Sequence, residues 1–246
     1  MRRLIPEPGE VSAEEAYADL GLERRAESLT RPYVIANMVM TADGRASLDG
    51  RTMAISSAAD RELFHALREQ VDAVMAGSAT IAIENYGRLV RDEARLRRRA
   101  ERGLEAQPLT VTASRSLELP RDTPLFTDAE SRIVVLAGDS GEAEGLIVER
   151  VPGPDPRTLD LMAGMELLRE RHGVRTLLLE GGPTLLAAML EVGLVDELFL
   201  SIAPLLAGGG PEPAILEGPL REPAGLRLLS LLEDEGFLFA RYAVGA

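Results

Sequence analysis

The clearest chemical signal in this sequence lies in residues 177–184, which read Leu-Leu-Leu-Glu-Gly-Gly-Pro-Thr. An apolar run ends at Glu180, two glycines follow, and Pro183 suits the first position of a helix. Glycines let a ligand approach the main chain closely, and the N–H groups at a helix start attract an anion such as a dinucleotide pyrophosphate. A tight turn without a ligand would use the same glycines. Glu180 favours the ligand, because α/β sheets bind ligands beyond the carboxyl ends of their strands.

A second candidate site has the same strand–turn–helix form. Residues 77–80, Gly-Ser-Ala-Thr, follow a short apolar segment and precede a predicted helix. Ser78 and Thr80 either cap that helix or contact a ribose or a phosphate, and the sequence leaves both open. The fingerprint Gly-x-Gly-x-x-Gly follows none of the predicted strands, so neither site is a Rossmann dinucleotide loop.

Arginine is the side chain expected to bind any phosphate, because the chain contains no lysine. A guanidinium holds a phosphate through two parallel hydrogen bonds. Seven arginines lie between residues 88 and 102, and their acidic neighbours predict that most of them form a solvated helix face. We single out two arginines as phosphate ligands: Arg68, near the end of a predicted core helix, and Arg91, at the entry of the arginine-rich helix.

Composition excludes several other classes of function. The 246 residues contain no cysteine, which excludes thiolate metal sites and cysteine nucleophiles, and with only two histidines we expect no metal site. A net charge of −13 and 4% aromatic residues disfavour nucleic acid as a partner. No apolar run reaches the roughly 20 residues of a membrane span. We therefore expect a cytoplasmic protein with neither a membrane nor a nucleic-acid partner.

Strands and helices alternate along the chain from residue 32 onwards. Predicted strands cover residues 33–40, 72–76, 109–113, 133–137, 145–151, 176–179 and 197–203. Two further strands, 226–232 and 237–243, flank Asp-Glu-Gly at 234–236 and predict a hairpin. The pattern indicates an α/β fold with a mostly parallel central sheet, an antiparallel C-terminal hairpin and helices on both faces. Residues 1–30 are predicted to form an N-terminal extension, and residues 31–246 a single domain.

Taken together, these motifs resemble the riboflavin-biosynthesis pyrimidine reductases, which include the reductase domain of the bifunctional deaminase–reductase and its stand-alone relatives. The resemblance runs from about residue 32 to the end. It is carried by residues 34–37 (Val-Ile-Ala-Asn), 43–45 (Asp-Gly-Arg), 77–80, 180–185 (Glu-Gly-Gly-Pro-Thr-Leu) and 193–198 (Gly-Leu-Val-Asp-Glu-Leu). It implies a dihydrofolate-reductase-like fold, NADPH as the hydride donor and a homodimer. The implied reaction reduces the ribose of 5-amino-6-(5-phosphoribosylamino)uracil to a ribityl chain.

The resemblance also implies roles for individual residues. Asn37 and Glu180 match catalytic positions next to the substrate, and Thr52, Arg68 and Arg91 match positions that hold the pyrimidine and the phosphate. Arg115 is expected beside the cofactor's 2′-phosphate, and the peptide between the paired glycines is expected to be cis. The full set of implied cofactor contacts is Val39, Ala54, Thr80, Glu84, Ser114, Arg115, Gly181, Gly182, Pro183, Thr184 and Leu185.

The sequence departs from the family pattern in three places. Many relatives carry lysine where Asn37 stands, and an Asn-Pro pair where Asn85-Tyr86 stands. Ala54 replaces a larger side chain of some members. The zinc motifs of the deaminase half are missing, so we expect no deaminase activity.

Two other functions stay open at this point. A dihydrofolate-type reductase would share the fold and would need a carboxylate facing the pterin, for which Asp60 is the candidate. Asp60 also suits a helix start as a partner of the helix dipole. A non-catalytic NADPH-binding protein is the third alternative. Turnover of ribosylaminouracil phosphate, of dihydrofolate or of neither distinguishes the three.

Overall fold

The structure, a computed structural model, describes residues 1–141, 143–155, 158–210 and 212–245. Its strands are β1 (Arg2–Ile5), β2 (Gly9–Glu10), β3 (Tyr33–Thr41), β4 (Ala73–Met75), β5 (Leu109–Ser114), β6 (Ile133–Ala137), β7 (Ile147–Arg150), β8 (Thr176–Leu179), β9 (Glu197–Ala203), β10 (Leu226–Asp234) and β11 (Phe237–Val244). Its α-helices are α1 (Ala13–Ala16), α2 (Leu22–Ala26), α3 (Ala58–Arg68), α4 (Ser78–Ile83), α5 (Glu93–Glu101), α6 (Pro124–Thr127), α7 (Leu161–His172) and α8 (Pro183–Glu191). These elements divide between two units.

Unit 1 comprises Met1–Leu20, Val34–Leu67 and Glu180–Ala246. Its strands follow the order β2-β1-β10-β11-β9-β3, in which β9 and β3 are parallel and the other pairs antiparallel. The predicted C-terminal hairpin is confirmed, since β10 and β11 pair antiparallel. Glu235 and Gly236 have φ values of 49° and 84°, and positive φ at both positions is typical of a two-residue hairpin turn of type I′.

Unit 2 comprises Gly21–Tyr33 and Arg68–Leu179, and its strands are all parallel in the order β8-β4-β5-β6-β7. β4, β6 and β8 are buried along their whole length, as is usual for parallel strands covered on both faces. The parallel strands and the C-terminal hairpin confirm the predicted α/β class with a mostly parallel sheet. The placement of helices on both faces stays a prediction.

Short polar motifs set the helix boundaries. Asp160 caps α7 by accepting a hydrogen bond from the Ala163 N–H at 3.0 Å, and Gly173, with φ +68°, ends the same helix in the left-handed conformation. Ser57 caps α3, because its hydroxyl accepts the Asp60 N–H at 3.0 Å. No helix in the described part of the chain is both long and apolar enough to cross a membrane.

The first twenty residues belong to unit 1. β1 pairs with both β2 and β10, and Tyr17 is buried with its ring edge-on to Phe199 at a centroid distance of 5.2 Å. These contacts anchor the N-terminal segment to β9 and β10. The division into an extension of residues 1–30 and a single domain of residues 31–246 stays a prediction.

Candidate functional site

The turn after β8 places a buried carboxylate directly before a helix start. Glu180 is 9% exposed, and α8 begins three residues later at Pro183. Gly181 has φ +86°, and a Cβ built on it would lie 3.2 Å from Sδ of Met38, so both the backbone and the available space favour glycine. The expected cis peptide between Gly181 and Gly182 is confirmed.

The start of α8 suits a cofactor phosphate. The Leu186 N–H donates to the Gly182 carbonyl at 3.0 Å, which closes the first turn of the helix. The N–H groups of Thr184 and Leu185 precede this bond and have no partner within the helix. Gly182 is the N-cap and brings no side chain to cap them. These N–H groups, at the positive end of the helix dipole, are therefore placed to bind an anion.

Two residues predicted to belong to the site share one face of β3. Asn37 and Val39 are half-buried and alternate with Met38, which is buried on the other face. β3 pairs in parallel with β9, and Asn37 lies opposite Phe199 in that register. The alternation keeps Asn37 and Val39 on the same side of the strand, about 7 Å apart.

The Asp-Gly-Arg motif after β3 has a structural role. The Asp43 carboxylate accepts hydrogen bonds from the Thr41 hydroxyl at 2.6 Å and from the N–H groups of Ala207 and Gly208 at 3.0 and 2.7 Å. These bonds hold the pKa of Asp43 down at about 2. Arg45 donates to the Gly208 carbonyl at 3.2 Å. The motif therefore ties the loop after β3 to the segment that follows β9.

Thr52 and Ala54 lie in one short 3-10 helix, Thr52–Ile55. Thr52 is half-buried and Ala54 is exposed. The turn that leads into this helix contains Asp49 and Gly50, whose φ values of 51° and 71° match a type I′ turn. The structure thus places two of the predicted contacts on one short element of unit 1.

Asp60, the candidate carboxylate of a pterin reductase, is engaged at the start of its own helix. It is buried, and its carboxylate accepts a hydrogen bond from the Ser56 hydroxyl at 2.6 Å. Its N–H is bonded to the Ser57 hydroxyl. These local bonds favour a structural role for Asp60 over contact with a pterin.

The second candidate turn leads from β4 into α4. Gly77 is the N-cap of α4 and makes no side-chain cap, so neither Ser78 nor Thr80 is the capping residue. The Glu84 N–H donates to the Thr80 carbonyl at 3.0 Å. Thr80 and Glu84 are half-buried and lie one helical turn apart, so these two predicted cofactor contacts share one side of α4.

The loops after β5 and β6 are in contact. Ser114 is buried and its hydroxyl donates to the Glu118 carbonyl at 3.3 Å, whereas Arg115 is exposed. A Cβ built on Gly138, the residue after β6, would lie 3.0 Å from the Arg115 carbonyl oxygen. The backbone of Arg115, the residue after Ser114, thus lies against the loop that follows β6.

The loop between α4 and α5 contains Arg91 and is contacted by Arg68. Arg68 is buried, its Nη1 donates to the Leu89 carbonyl at 3.2 Å, and its guanidinium carbon lies 5.4 Å from the ring centroid of Tyr86. Arg91 is exposed, and its Nε donates to the Arg88 carbonyl at 3.3 Å. The structure therefore brings the two predicted phosphate ligands to one loop, and phosphate binding itself stays a prediction.

Three arginines of the segment, Arg95, Arg98 and Arg99, do not lie on the predicted solvated face. The Arg95 side chain is 16% exposed and lies 3.5 Å from the Glu69 carboxylate. Arg98 is half-buried and binds the Glu69 carboxylate through hydrogen bonds of 2.8 and 2.9 Å. Arg99 is fully buried and donates at 2.8–3.3 Å to the carbonyls of Arg68, Glu69, Val71 and Glu105. The acidic neighbours of Arg99 in the sequence predicted exposure. Arg99 is buried instead because its partners are distant along the chain: three of these four carbonyls lie 28–31 residues earlier. No local pattern marks Arg99 as buried.

Comparisons with known proteins agree on one family. The RibD C-terminal domain family matches residues 32–235, starting where the resemblance was predicted to start. The 2,5-diamino-6-ribosylamino-4(3H)-pyrimidinone 5′-phosphate reductase of Archaeoglobus fulgidus is 30% identical over 192 residues, which is 76% of this chain and 87% of the relative. The protein of the same name from Methanothermobacter thermautotrophicus is 32% identical over 197 residues, 76% of this chain and 85% of the relative. A solved pyrimidine reductase-like protein from Corynebacterium diphtheriae shares the fold, with a TM-score of 0.78 at 24% identity over 95% of this chain and 99% of its own.

Proposed function

The chain belongs to the RibD C-terminal domain family of pyrimidine reductases, and we propose that it is an NADPH-dependent reductase of riboflavin biosynthesis. The proposed reaction converts the ribose of 5-amino-6-(5-phosphoribosylamino)uracil to a ribityl chain. Family membership implies a nicotinamide cofactor, and the choice of NADPH over NADH is part of the proposal. The homodimeric state and the cytoplasmic location stay predictions.

One observation carries the proposal: a buried carboxylate, Glu180, immediately precedes a glycine turn and the start of α8. A reductase needs a group that contacts substrate next to a site for the cofactor's phosphates. The N–H groups at the start of α8 fit such phosphates, because they are unpaired within the helix and Gly182 leaves them uncovered. The chain thus carries both requirements within a few residues.

The reaction adds a hydride and a proton to the substrate. Opening of the ribose ring breaks the C1′–O4′ bond, forms a C1′=N bond to the pyrimidine's amino nitrogen, and delivers a proton to O4′. When bound, the nicotinamide supplies the hydride that C1′ accepts. The residues of this chain bind the pyrimidine and the phosphate and so hold C1′ in position, and such positioning can account for a large part of a rate enhancement.

Glu180 has two possible roles toward the substrate, which one substitution separates. As a proton donor to O4′, it would lose this ability in Glu180→Gln, and kcat would fall about 10²- to 10⁴-fold. As an anchor of sugar hydroxyls, its replacement by glutamine would retain hydrogen bonding and would raise KM with little change in kcat. Steady-state kinetics of Glu180→Gln and Glu180→Ala therefore assign the role. Unchanged kinetics in both variants contradict any contact with the substrate.

Two phosphorylated pyrimidines that differ at C2 test which pyrimidine base the substrate carries. The uracil compound carries an oxygen there, and the diaminopyrimidinone for which the two relatives are named carries an amino group. Those names make the diaminopyrimidinone the second candidate. Initial rates with NADPH should show reduction of at least one of them. Reduction of dihydrofolate alone supports the pterin reductase, and NADPH binding without any turnover supports a non-catalytic protein.

The phosphate ligands are tested with Arg68→Ala and Arg91→Ala, with Arg97→Ala as the control. The Arg97 side chain is 68% exposed and lies on the same arginine-rich segment. A guanidinium–phosphate bond contributes about 1.5–3 kcal/mol, so one or both of the first two variants should lose at least tenfold in kcat/KM. Equal turnover of the dephosphorylated substrate, or a loss confined to Arg97→Ala, contradicts this assignment.

A further inference from the structure

One arginine holds the loop that follows β6. Arg150, the last residue of β7, donates from Nη1 to the carbonyls of Gly138 and Ser140 at 2.6 and 2.9 Å, and from Nη2 to the Gly141 carbonyl. A planar guanidinium is suited to this task, because its N–H groups spread in one fixed plane. Three of the four carbonyls of residues 138–141 therefore converge on a single side chain.

We propose that Arg150 is a positioning residue that shapes this loop for the adenosine 2′-phosphate of NADPH and so sets the preference for NADPH over NADH. The inference rests on the proposed function, which assigns Ser114 and Arg115 to the cofactor. Arg150 pairs with Ala137 in the β6–β7 register, so it lies beside the point where β6 ends and the loop begins.

The clamped loop touches the predicted 2′-phosphate segment. A Cβ built on Gly138 would lie 3.0 Å from the Arg115 carbonyl oxygen, and one built on Gly141 would lie 3.1 Å from the Ser116 carbonyl oxygen. The backbones of the two loops are thus so close that a methyl group added at either glycine would require a shift of a few tenths of an ångström. A displacement of residues 138–141 would consequently move Arg115 as well.

The clamp also orients peptide groups. In a trans peptide the N–H points opposite to the C=O of the preceding residue. Because the Gly138 and Ser140 carbonyls point at Arg150, the N–H groups of Asp139 and Gly141 point away from it. Backbone N–H groups that point to one side of a loop can donate to a bound phosphate.

Charge acts on the same loop. Asp139 is exposed between the clamped carbonyls, and its carboxylate would repel a phosphate. Arg150 places a positive charge next to it and compensates for that repulsion. Asp139→Asn is therefore expected to tighten NADPH binding a few-fold without affecting NADH.

The test measures dissociation constants of NADPH, NADH and adenosine 2′,5′-bisphosphate for the full chain. We expect Arg150→Ala to weaken the binding of NADPH and of the bisphosphate about tenfold and to leave the binding of NADH unchanged. The preference for NADPH over NADH would therefore fall. Arg150→Lys keeps the positive charge but not the planar set of N–H groups, so it should show most of the same loss of NADPH affinity. Arg132→Ala is the matched control, because Arg132 is exposed at the opposite end of β6, about 16 Å along the strand.

The outcomes separate this inference from the proposed function. Three results overturn the positioning role while leaving the reductase proposal intact. They are wild-type affinity for NADPH in Arg150→Ala, an equal loss of affinity for NADH in that variant, and full affinity for NADPH in Arg150→Lys. A wild-type chain that binds neither NADPH nor the bisphosphate overturns both. Arg150→Gln, checked for an unchanged thermal midpoint, replaces Arg150→Ala if the alanine variant does not fold, and the same affinities then decide.

Discussion

Replacing Arg99 with methionine should lower the free energy of unfolding by about 3 kcal/mol. Within the described residues Arg99 Nη2 is buried without a hydrogen-bond partner, whereas Nη1 and Nε donate three N–H groups to four carbonyls. A bond from a charged donor contributes about 2 kcal/mol, so the three N–H groups contribute about 6 kcal/mol. Burial opposes this, because desolvation lowers the pKa of Arg99 to about 10, which corresponds to a cost of about 3 kcal/mol. The difference is the expected loss, and Met approximates the shape of the arginine stem.

Urea unfolding followed by circular dichroism measures this loss. For a chain of this size the thermal midpoint should fall by about 6–12 °C. Arg97→Met is the matched control, since its side chain is 68% exposed, and it should change stability by less than about 0.5 kcal/mol. An Arg99→Met protein as stable as the wild type would refute the assignment of a net stabilising role to the buried guanidinium.

Two further substitutions test the site and its supporting loop. Gly181 has a left-handed φ and a Cβ there would contact Met38, so Gly181→Ala should weaken NADPH binding at least tenfold. Gly193→Ala is the control: Gly193 has φ +68° but open space around it, so the substitution should cost only about 1 kcal/mol of stability. Equal NADPH affinity in both variants contradicts the cofactor site at the glycine turn. Because the pKa of Asp43 lies at about 2, below its ordinary 3.8, the ionised carboxylate stabilises the fold above about pH 4 and loses this effect as the pH falls toward 2. Asp43→Asn should reduce the change in stability between about pH 4 and pH 2. An unaltered acid-unfolding curve contradicts a stabilising role for the hydrogen bonds of the Asp43 carboxylate.

The amino-acid sequence by itself determined the elements whose signals are local. The Glu-Gly-Gly-Pro run predicted a strand end, a turn and a helix start, and the structure has β8 ending at Leu179 and α8 beginning at Pro183. The C-terminal hairpin followed from its central Asp-Glu-Gly, because positive φ at the turn favours glycine. Such features depend on neighbours within a few residues, so composition and spacing suffice to predict them. The family resemblance added candidate roles that the residues alone left open.

Only the tertiary structure decided the roles of side chains whose partners are distant along the chain. Asp43 belongs to a motif that carried the family resemblance without a predicted role, and the structure shows that it binds the N–H of Gly208, 165 residues away. Arg99 lay in an apparently solvated run and is buried, because the carbonyls it binds come from the end of α3 and the segment after it. Arg150 carried no signal, and its role as a clamp on residues 138–141 exists only because β6 and β7 pair. Hydrogen bonds and burial depend on which groups meet in space, and a one-dimensional pattern does not encode that for a single arginine or aspartate.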